Sequence, residues 1–182
     1  MILALDISTS ITGFCVFNEW NAVHIGHIDL RKEKDFFKKV DLVRKKITEL
    51  HKQYNFKQVA IEEAFQSFGR GLSSAKTLFT LAKFNGIIQY IVFTLNIDTT
   101  VINVNNARKI VGIKINKKDK TKNTKEQVLE QVQKLNSTLM WPKRVLKSGP
   151  RKGLEIYDEC CYDRADAYVV GKAHLIENNN IT

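Results

Sequence analysis

Short apolar runs alternate with longer amphipathic segments along the chain, and this pattern predicts strands first and helices after them. Residues 2–6 form an apolar run that ends on a carboxylate, and residues 8–13 form a turn rich in small hydroxylated side chains. Residues 13–18 are predicted as a second strand. A third strand at residues 23–30 has its alternation interrupted near Gly26, which indicates a bulge there. The pattern predicts an antiparallel meander.

Helical periodicity begins after the meander. Residues 35–54 carry apolar side chains at helical spacing with Lys and Arg on the other face, which is typical of an amphipathic crossover helix. A short strand ending on acids follows at 58–62, then a longer helix at 73–95 and a strand at 99–104. This order predicts an α/β fold with a mixed five-stranded sheet flanked by helices.

The C-terminal third alternates between irregular and helical patterns. The lysine-rich stretch KINKKDKTKNTK, residues 114–125, has no apolar periodicity and is predicted to be a mobile loop. Asn123 followed three residues later by Glu126 indicates the start of a helix. Residues 141–153 are expected to be irregular, and residues 159–177 have the spacing of a last helix.

Length and composition limit the class of protein. The 182 residues suit one domain, assigned to residues 1–178, with a short tail at 179–182. A hydrophobic share of 43% argues against disorder, and no apolar run reaches the length of a membrane span. No secretory signal is recognised at the start of the chain, so we expect a cytoplasmic protein, in the host cytoplasm if a phage encodes it.

The charge balance points to a polyanionic partner. The chain has 29 Lys and Arg against 19 Asp and Glu, a formal net charge of +10. Such a balance becomes informative when the positive charge surrounds a cluster of acids. Cys15, Cys160 and Cys161 lack the spacing of a zinc site or a disulfide framework, and we interpret them as reduced, buried thiols.

Acidic residues occupy positions that a fold of this kind can bring together. Asp6 ends the first strand, Glu62 and Glu63 end the fourth, and Asp163 and Asp166 share one face of the last helix. Each of these acids, taken alone, is as well explained by a solvated turn or an exposed helix face. Converging carboxylates repel one another unless cations lie between them, and hard oxygen ligands favour Mg²⁺ or Mn²⁺ over zinc. Two such ions can support hydrolysis of a phosphodiester.

Four motifs occur in a characteristic order: LALDISTSITGF, VAIEEAF, TKEQV after the lysine-rich stretch, and DRADAYVVG. In order and spacing they resemble the RuvC-type Holliday junction resolvases of the RNase H-like superfamily, over residues 2–174. The long lysine-rich insertion and an added segment at 141–158 resemble the phage-type branch more than the bacterial one. Cleavage-sequence preference and dependence on a branch-migration motor are left open by these departures.

The resemblance implies a metal site and a junction-cutting activity. Asp6, Glu62, Asp163 and Asp166 would be the metal ligands, for Mg²⁺ with Mn²⁺ able to substitute, and no small-molecule cofactor is expected. Strand alternation predicts that Glu63 faces away from Glu62, although a loop that begins at Glu63 could turn it inward. The implied activity is paired hydrolysis of four-way DNA junctions by a homodimer, with the helix at 73–95 either as the dimer contact or simply as a core helix.

Further residues are candidates for DNA contact. The resemblance gives Lys125 a phosphate contact near the metals, with a solvated surface lysine as the alternative. Phe65 would pack against bases at an opened junction or belong to the core, and Phe68 could serve in its place. Ser8 and Thr9 either hydrogen-bond the scissile region or hold their turn. Backbone contacts are expected from the basic residues Arg70, Lys117, Lys118, Lys120 and Lys122.

Other functions are compatible with parts of the sequence. The same metal chemistry serves RNase H-like nucleases that act on flaps or RNA–DNA hybrids. A non-catalytic module that only holds branched nucleic acid is a further alternative, although all four ligand-type positions are acidic. The run DISTSITG also fits the phosphate loop of the sugar-kinase, Hsp70 and actin superfamily, but those ATPases need two such domains.

Overall fold

A mixed sheet with helices on both faces organises the chain. The computed structural model describes residues 1–64, 75–119, 121–150 and 152–179. Its elements, in chain order, are β1 Ile2–Asp6, β2 Ile11–Asn18, β3 Asn21–Asp29, α1 Phe36–Tyr54, β4 Gln58–Glu62, α2 Ala75–Thr94, β5 Asp98–Ile102, α3 Val104–Val111, α4 Thr124–Leu135, β6 Lys143–Val145, β7 Glu155–Tyr157 and α5 Cys160–Asn179.

The five long strands form one sheet in the order β3-β2-β1-β4-β5, and β6 pairs with β7 in a separate two-stranded sheet. β1 is antiparallel to β2 and parallel to β4, and β4 is parallel to β5. The predicted α/β class with a mixed five-stranded sheet is therefore confirmed. Because Leu5 is level with Ile61, the next residues, Asp6 and Glu62, leave the sheet side by side at the same edge.

Strand alternation divides the apolar core into two layers. On one face of the sheet Leu3 and Leu5 pack with buried residues of α1 and α2. On the other face Ala4 and Phe17 pack with α5, supported by α3 and α4. Cys15, Cys160 and Cys161 are free and buried in this second layer, as their interpretation as small apolar side chains predicted.

Helix boundaries follow local capping chemistry. Asp35 accepts a hydrogen bond from the Lys38 backbone nitrogen and begins α1. Asn123 and Glu126 form a reciprocal capping box at the start of α4, which confirms the helix start predicted from their spacing. Within the described ranges, none of the helices combines the length and apolar character that crossing a lipid bilayer requires.

Three local features differ from the prediction. The third strand has a bulge as predicted, but it lies at Val23, opposite the step from Val16 to Phe17, and not near Gly26, which pairs in register beneath the Phe14 ring. The segment expected to be irregular contains β6, a strand of three exposed residues with no alternation to read. The pattern also did not predict α3, which has eight residues and is too short to show several helical repeats.

Candidate active site

The carboxyl ends of β1 and β4 open into a cleft of about 520 Å³. Asp6 and Glu62, both half-buried, lie in its wall at the ends of these two neighbouring parallel strands. Asp163 and Asp166 of α5 line the same cleft. The structure thus brings together the four carboxylates that the sequence placed on three separate elements.

Close packing between α5 and β2 places the α5 carboxylates. Gly13 pairs with Asp6 across the sheet, and α5 lies so near that a Cβ atom at Gly13 would be 2.0 Å from the carbonyl oxygen of Asp163. Only glycine allows this approach of the helix backbone to the strand. The first turn of α5 is therefore set directly beside the end of β1.

Two basic side chains are paired with the α5 carboxylates. Arg108 of α3 contacts Asp166, with 2.8 Å between Nη2 and Oδ1, and both side chains are largely buried at 17% and 6% exposure. Lys125, in the first turn of α4, lies 3.2 Å from Asp163 between Nζ and Oδ1 and is 54% exposed. Sequence reasoning singled out Lys125 but missed Arg108, because it missed the helix that carries it.

Burial and mutual repulsion disfavour the ionised form of the acids in the cleft. Burial, and then the charges of Glu62, Asp166 and Asp163, raise the pKa of Asp6 well above its usual value. Burial and the charge of Asp166 raise the pKa of Glu62 to about 7, against the opposing effect of Arg108 and Lys125. Burial also raises the pKa of Asp163, opposed by Lys125. The cleft therefore has negative charge in excess of what its own basic groups neutralise.

Lys125 stays charged in these surroundings. Burial lowers its pKa, but the nearby carboxylates of Asp163, Asp166 and Asp6 outweigh that effect, so the net shift is upward. A lysine held in its ammonium form beside the acids, and half exposed to solvent, is available to an anion entering the cleft.

The donor set fits a hard divalent cation. Glu62 Oε2 is buried and has no hydrogen-bond partner among the described residues, so it keeps an open ligand position inside the cleft. Carboxylate oxygens are the donors that Mg²⁺ and Mn²⁺ prefer. Among the residues that the structure describes, no three acidic, His or Cys side chains are grouped closely enough to hold an ion as they stand. Asp166 and Asp163 are instead held by Arg108 and Lys125.

Glu63 lines the same cleft as Glu62, as the alternative of a loop beginning there allowed, and does not face away as strand alternation predicted. The physical reason is that β4 ends at Glu62, so strand alternation no longer applies to the next residue. Glu63 Oε2 accepts a hydrogen bond from Asn103 Nδ2 at 3.1 Å. The N-cap of α3 thus engages this carboxylate.

A buried amide pair supports the end of β4. Asn85, almost fully buried on α2, donates from Nδ2 to the backbone carbonyl of Glu62 at 3.0 Å. Gln89, one turn along, donates to Asn85 Oδ1 at 2.5 Å. Sequence reasoning treated α2 as an apolar helix, although these two amides within its apolar run are the signal that would have indicated a polar contact.

The hydroxyls of the β1–β2 turn hold the turn itself. Ser8 Oγ accepts from the backbone nitrogens of Ser10 and Ile11 and donates to the Ile11 carbonyl. The backbone carbonyl of Thr9 accepts from Lys39 Nζ, which ties the turn to α1. Ser8 also lines the cleft, whereas the contacts of Thr9 involve its backbone.

Three of the predicted basic DNA contacts, Lys117, Lys118 and Lys122, lie in the segment before α4. Lys117 and Lys118 are exposed, and Lys117 lines a separate depression between α3 and α4. Lys122 is paired with Glu130 at 2.5 Å. Of these three, none lines the acidic cleft. Four further candidates lie outside the described residues: Phe65, Phe68, Arg70 and Lys120.

Solved structures with the same architecture include two of RuvC from Thermus thermophilus. The one described as a complex with Holliday junction substrate has a TM-score of 0.66 and 15% identity, and covers 98% of this chain and 94% of that chain. The second has a TM-score of 0.62 and 15% identity, covering 100% and 96%. The chain has the RuvC fold.

A eukaryotic structure shares this RuvC fold. The yeast mitochondrial Holliday junction resolvase Ydc2 has a TM-score of 0.60 and 10% identity, covering 99% of this chain and 79% of that chain. No protein-family model and no curated protein sequence matches the chain. The likeness therefore lies in the fold, which is the RNase H-like arrangement predicted from the motifs.

Proposed function

We propose that this protein is a divalent-metal-dependent endonuclease that resolves Holliday junctions and related branched DNA in recombination or repair. The observation that carries the proposal is the convergence of Asp6, Glu62, Asp163 and Asp166 on one cleft of a RuvC fold. One structural neighbour, RuvC from Thermus thermophilus, is in complex with a Holliday junction substrate, and the net charge of +10 on this chain suits such a polyanion. We assign the activity to one nuclease domain, residues 1–178.

The four carboxylates would hold Mg²⁺, with Mn²⁺ as a substitute. When bound, such ions supply an activated water for in-line attack and neutralise charge on the leaving oxygen. The chain's own contribution is positioning. Asp6 and Glu62 are fixed by neighbouring strands, and Asp163 and Asp166 by the contact of α5 with Gly13. Lys125, charged and 54% exposed, can bind a phosphate oxygen at the mouth of the cleft.

We further propose that the protein acts as a homodimer through α2. Ile88 and Val92 of this helix are fully buried in the core of the subunit, so they cannot form the dimer contact. Phe79, Tyr90 and Phe93 are 70%, 64% and 71% exposed, and their spacing puts them on one face. An exposed aromatic face of this kind is typical of an association surface. Two copies would present paired cutting sites to a symmetric junction.

The test is Mg²⁺-dependent cleavage of a labelled four-way junction beside linear duplex, a flap and an RNA–DNA hybrid. Wild type is compared with Asp6→Asn and with Asp98→Asn, an exposed acid at the start of β5. We expect paired nicks on the junction that Asp6→Asn abolishes and Asp98→Asn leaves intact. Preferential cutting of the flap or hybrid would assign the site to another nuclease class. A folded protein that cuts none of these substrates with Mg²⁺ or Mn²⁺ would contradict the proposal that it is a nuclease.

A further inference from the structure

Apart from Tyr157, which packs against the apolar layer of α5, the hairpin formed by β6 and β7 lies outside both apolar layers. Lys143 pairs with Tyr157 and Val145 with Glu155, and the ladder continues through hydrogen bonds between Leu146 and residues 153–154. Between residues 143 and 155, every described residue except Leu146 is exposed. A two-stranded hairpin of this size is marginally stable by itself, and its exposed residues bury little apolar surface against the core.

The hairpin has a high density of positive charge. Residues 142–157 contain five basic residues and one acid, a net charge of +4 out of +10 for the whole chain. The single acid, Glu155, is 2.8 Å from Lys143 between Oε2 and Nζ. Lys147 and Lys152 are exposed at the tip, on either side of the turn. Like charges at such a tip repel one another unless a polyanion lies against them.

The base of the hairpin is fixed beside the acidic cleft. The Pro142 carbonyl accepts from the Asp158 backbone nitrogen at 3.0 Å and from Cys161 Sγ at 3.2 Å. Arg144 Nη2 lies 3.2 Å from Glu159 Oε1, and Glu159 itself lines the cleft. Glu159 is four residues before Asp163, about one helical turn, so the hairpin begins at the rim of the proposed catalytic site.

We propose that the β6–β7 hairpin is a second nucleic-acid contact, which binds the phosphate backbone of the duplex arm next to the cut strand. A two-stranded ribbon has dimensions that a DNA groove accepts, and exposed lysines bind phosphates independently of sequence. The inference rests on the proposed nuclease function, because the cleft beside the hairpin is where the cut strand would lie.

The experiment compares two double variants that lose the same charge at opposite ends of the molecule. Lys147→Ala with Lys152→Ala removes the tip lysines. Lys52→Ala with Lys57→Ala removes two exposed lysines near the start of β1, where the Lys57 backbone nitrogen bonds the Met1 carbonyl, at the sheet end opposite Asp6. Binding to a labelled four-way junction is measured against salt concentration with Mg²⁺ present. All proteins in this comparison carry Asp6→Asn, which prevents cutting.

We expect the tip variant to bind roughly tenfold more weakly near physiological salt, with the slope of log K against log salt reduced by about one to two. The Lys52 and Lys57 variant should have the same affinity and the same salt slope as its parent. An unchanged affinity and slope in the tip variant would overturn the proposal and point to an acidic protein surface as the hairpin's partner. Equal losses in both variants would also overturn it, since the effect would then be one of overall charge.

Cleavage by proteins with intact Asp6 separates this inference from the proposed function. If the tip variant binds junctions more weakly but the wild type cuts none, the proposed nuclease function is wrong and the hairpin contact is supported. A wild type that cuts junctions, combined with tip variants that bind as their parent does, would overturn the hairpin contact alone.

Discussion

The two helical layers of this protein differ in what they give to the cleft. The layer of α3, α4 and α5 contributes four charged side chains: Arg108, Lys125, Asp163 and Asp166. Of the layer of α1 and α2, the described residues that line the cleft are Leu81 and Asn85, neither of them charged, and the outer face of α2 is aromatic. One layer thus carries the proposed chemistry, while the other supports β4 and has the surface proposed for association.

The contact between α5 and β2 should be the most sensitive point of the charged layer. Gly13→Ala would place a methyl group against the fixed carbonyl of Asp163. We expect a loss of stability of about 3 kcal/mol or more, or no folded protein, and loss of Mg²⁺-dependent cleavage in whatever folds. Urea denaturation and junction cleavage measure the two effects.

A glycine in the other layer provides the control. Gly86 is exposed on α2, and a Cβ there would meet nothing within 4 Å. Gly86→Ala should leave stability unchanged or raise it by roughly 0.5–1 kcal/mol through helix propensity. If the two substitutions had equal effects, the close approach would not be what positions α5.

Neutralising Glu62 should stabilise the metal-free protein while it abolishes cleavage. Burial and the charge of Asp166 raise the pKa of Glu62 from its ordinary value of 4.5 to about 7, so the folded state favours the protonated form. That stabilisation is present below about pH 4.5 and is lost as pH rises through about 7. Glu62→Gln should therefore add roughly 1–3 kcal/mol at pH 8 without metal.

Thermal melts with and without Mg²⁺ measure this effect. Mg²⁺ should raise the melting temperature of the wild type at pH 8, and it should raise that of Glu62→Gln much less. Glu19→Gln, in the exposed turn between β2 and β3, is the control and should melt as wild type does under both conditions. Destabilisation of the metal-free protein by Glu62→Gln would contradict the charge excess described for the cleft.

Removing the aromatic side chains from the exposed face of α2 should dissociate the proposed dimer without changing the layer formed by α3, α4 and α5. Tyr90→Ser with Phe93→Ser is expected to give a monomer by light scattering, with Mg²⁺ stabilisation retained and paired nicking of junctions reduced to single nicks. Phe37→Ser, which removes a side chain on α1 with 66% exposure, should leave the association state unchanged. A wild type that is itself monomeric at the concentrations of the assay would refute this contact.

The smallest effect is expected at Asn85, which acts through the backbone of Glu62. Asn85→Ala removes the donor to the Glu62 carbonyl and the acceptor for Gln89. We expect about 1–2 kcal/mol of lost stability and a few-fold rise in the Mg²⁺ concentration that gives half-maximal cleavage. Asn105→Ala, at an exposed position on α3, should change neither value. An unchanged metal requirement in Asn85→Ala would limit Asn85 to a structural role.

Strong local signals explain what the sequence predicted well. The apolar run of β1 ends at Asp6 as predicted, and the Asn123–Glu126 pair began α4 where its spacing indicated. Asp6 and Glu62 lie side by side because parallel neighbouring strands end at the same edge of the sheet. Those features depend on nearest neighbours or on one rule of sheet geometry.

The remaining features depend on tertiary contacts that a pattern does not contain. Arg108 was missed because α3 has eight residues, and its role comes from Asp166, 58 positions away along the chain. Gly13 shows nothing unusual in sequence, since its importance arises from the backbone of α5. Asn85 is recognisable as an amide within an apolar helix, but the pattern does not show that its partner is the main-chain carbonyl of Glu62.

The pair of Lys125 and Asp163 has a consequence for how ligands bind. One ammonium group can be shared by Asp163 and by a phosphate at the cleft mouth, but not at full strength by both. A phosphate that draws Lys125 away leaves Asp163 with more affinity for a cation. By thermodynamic linkage, a bound cation must then increase the affinity of the protein for the phosphate by the same factor. The side chain that is paired with Asp163 would thus make the binding of DNA and metal mutually dependent.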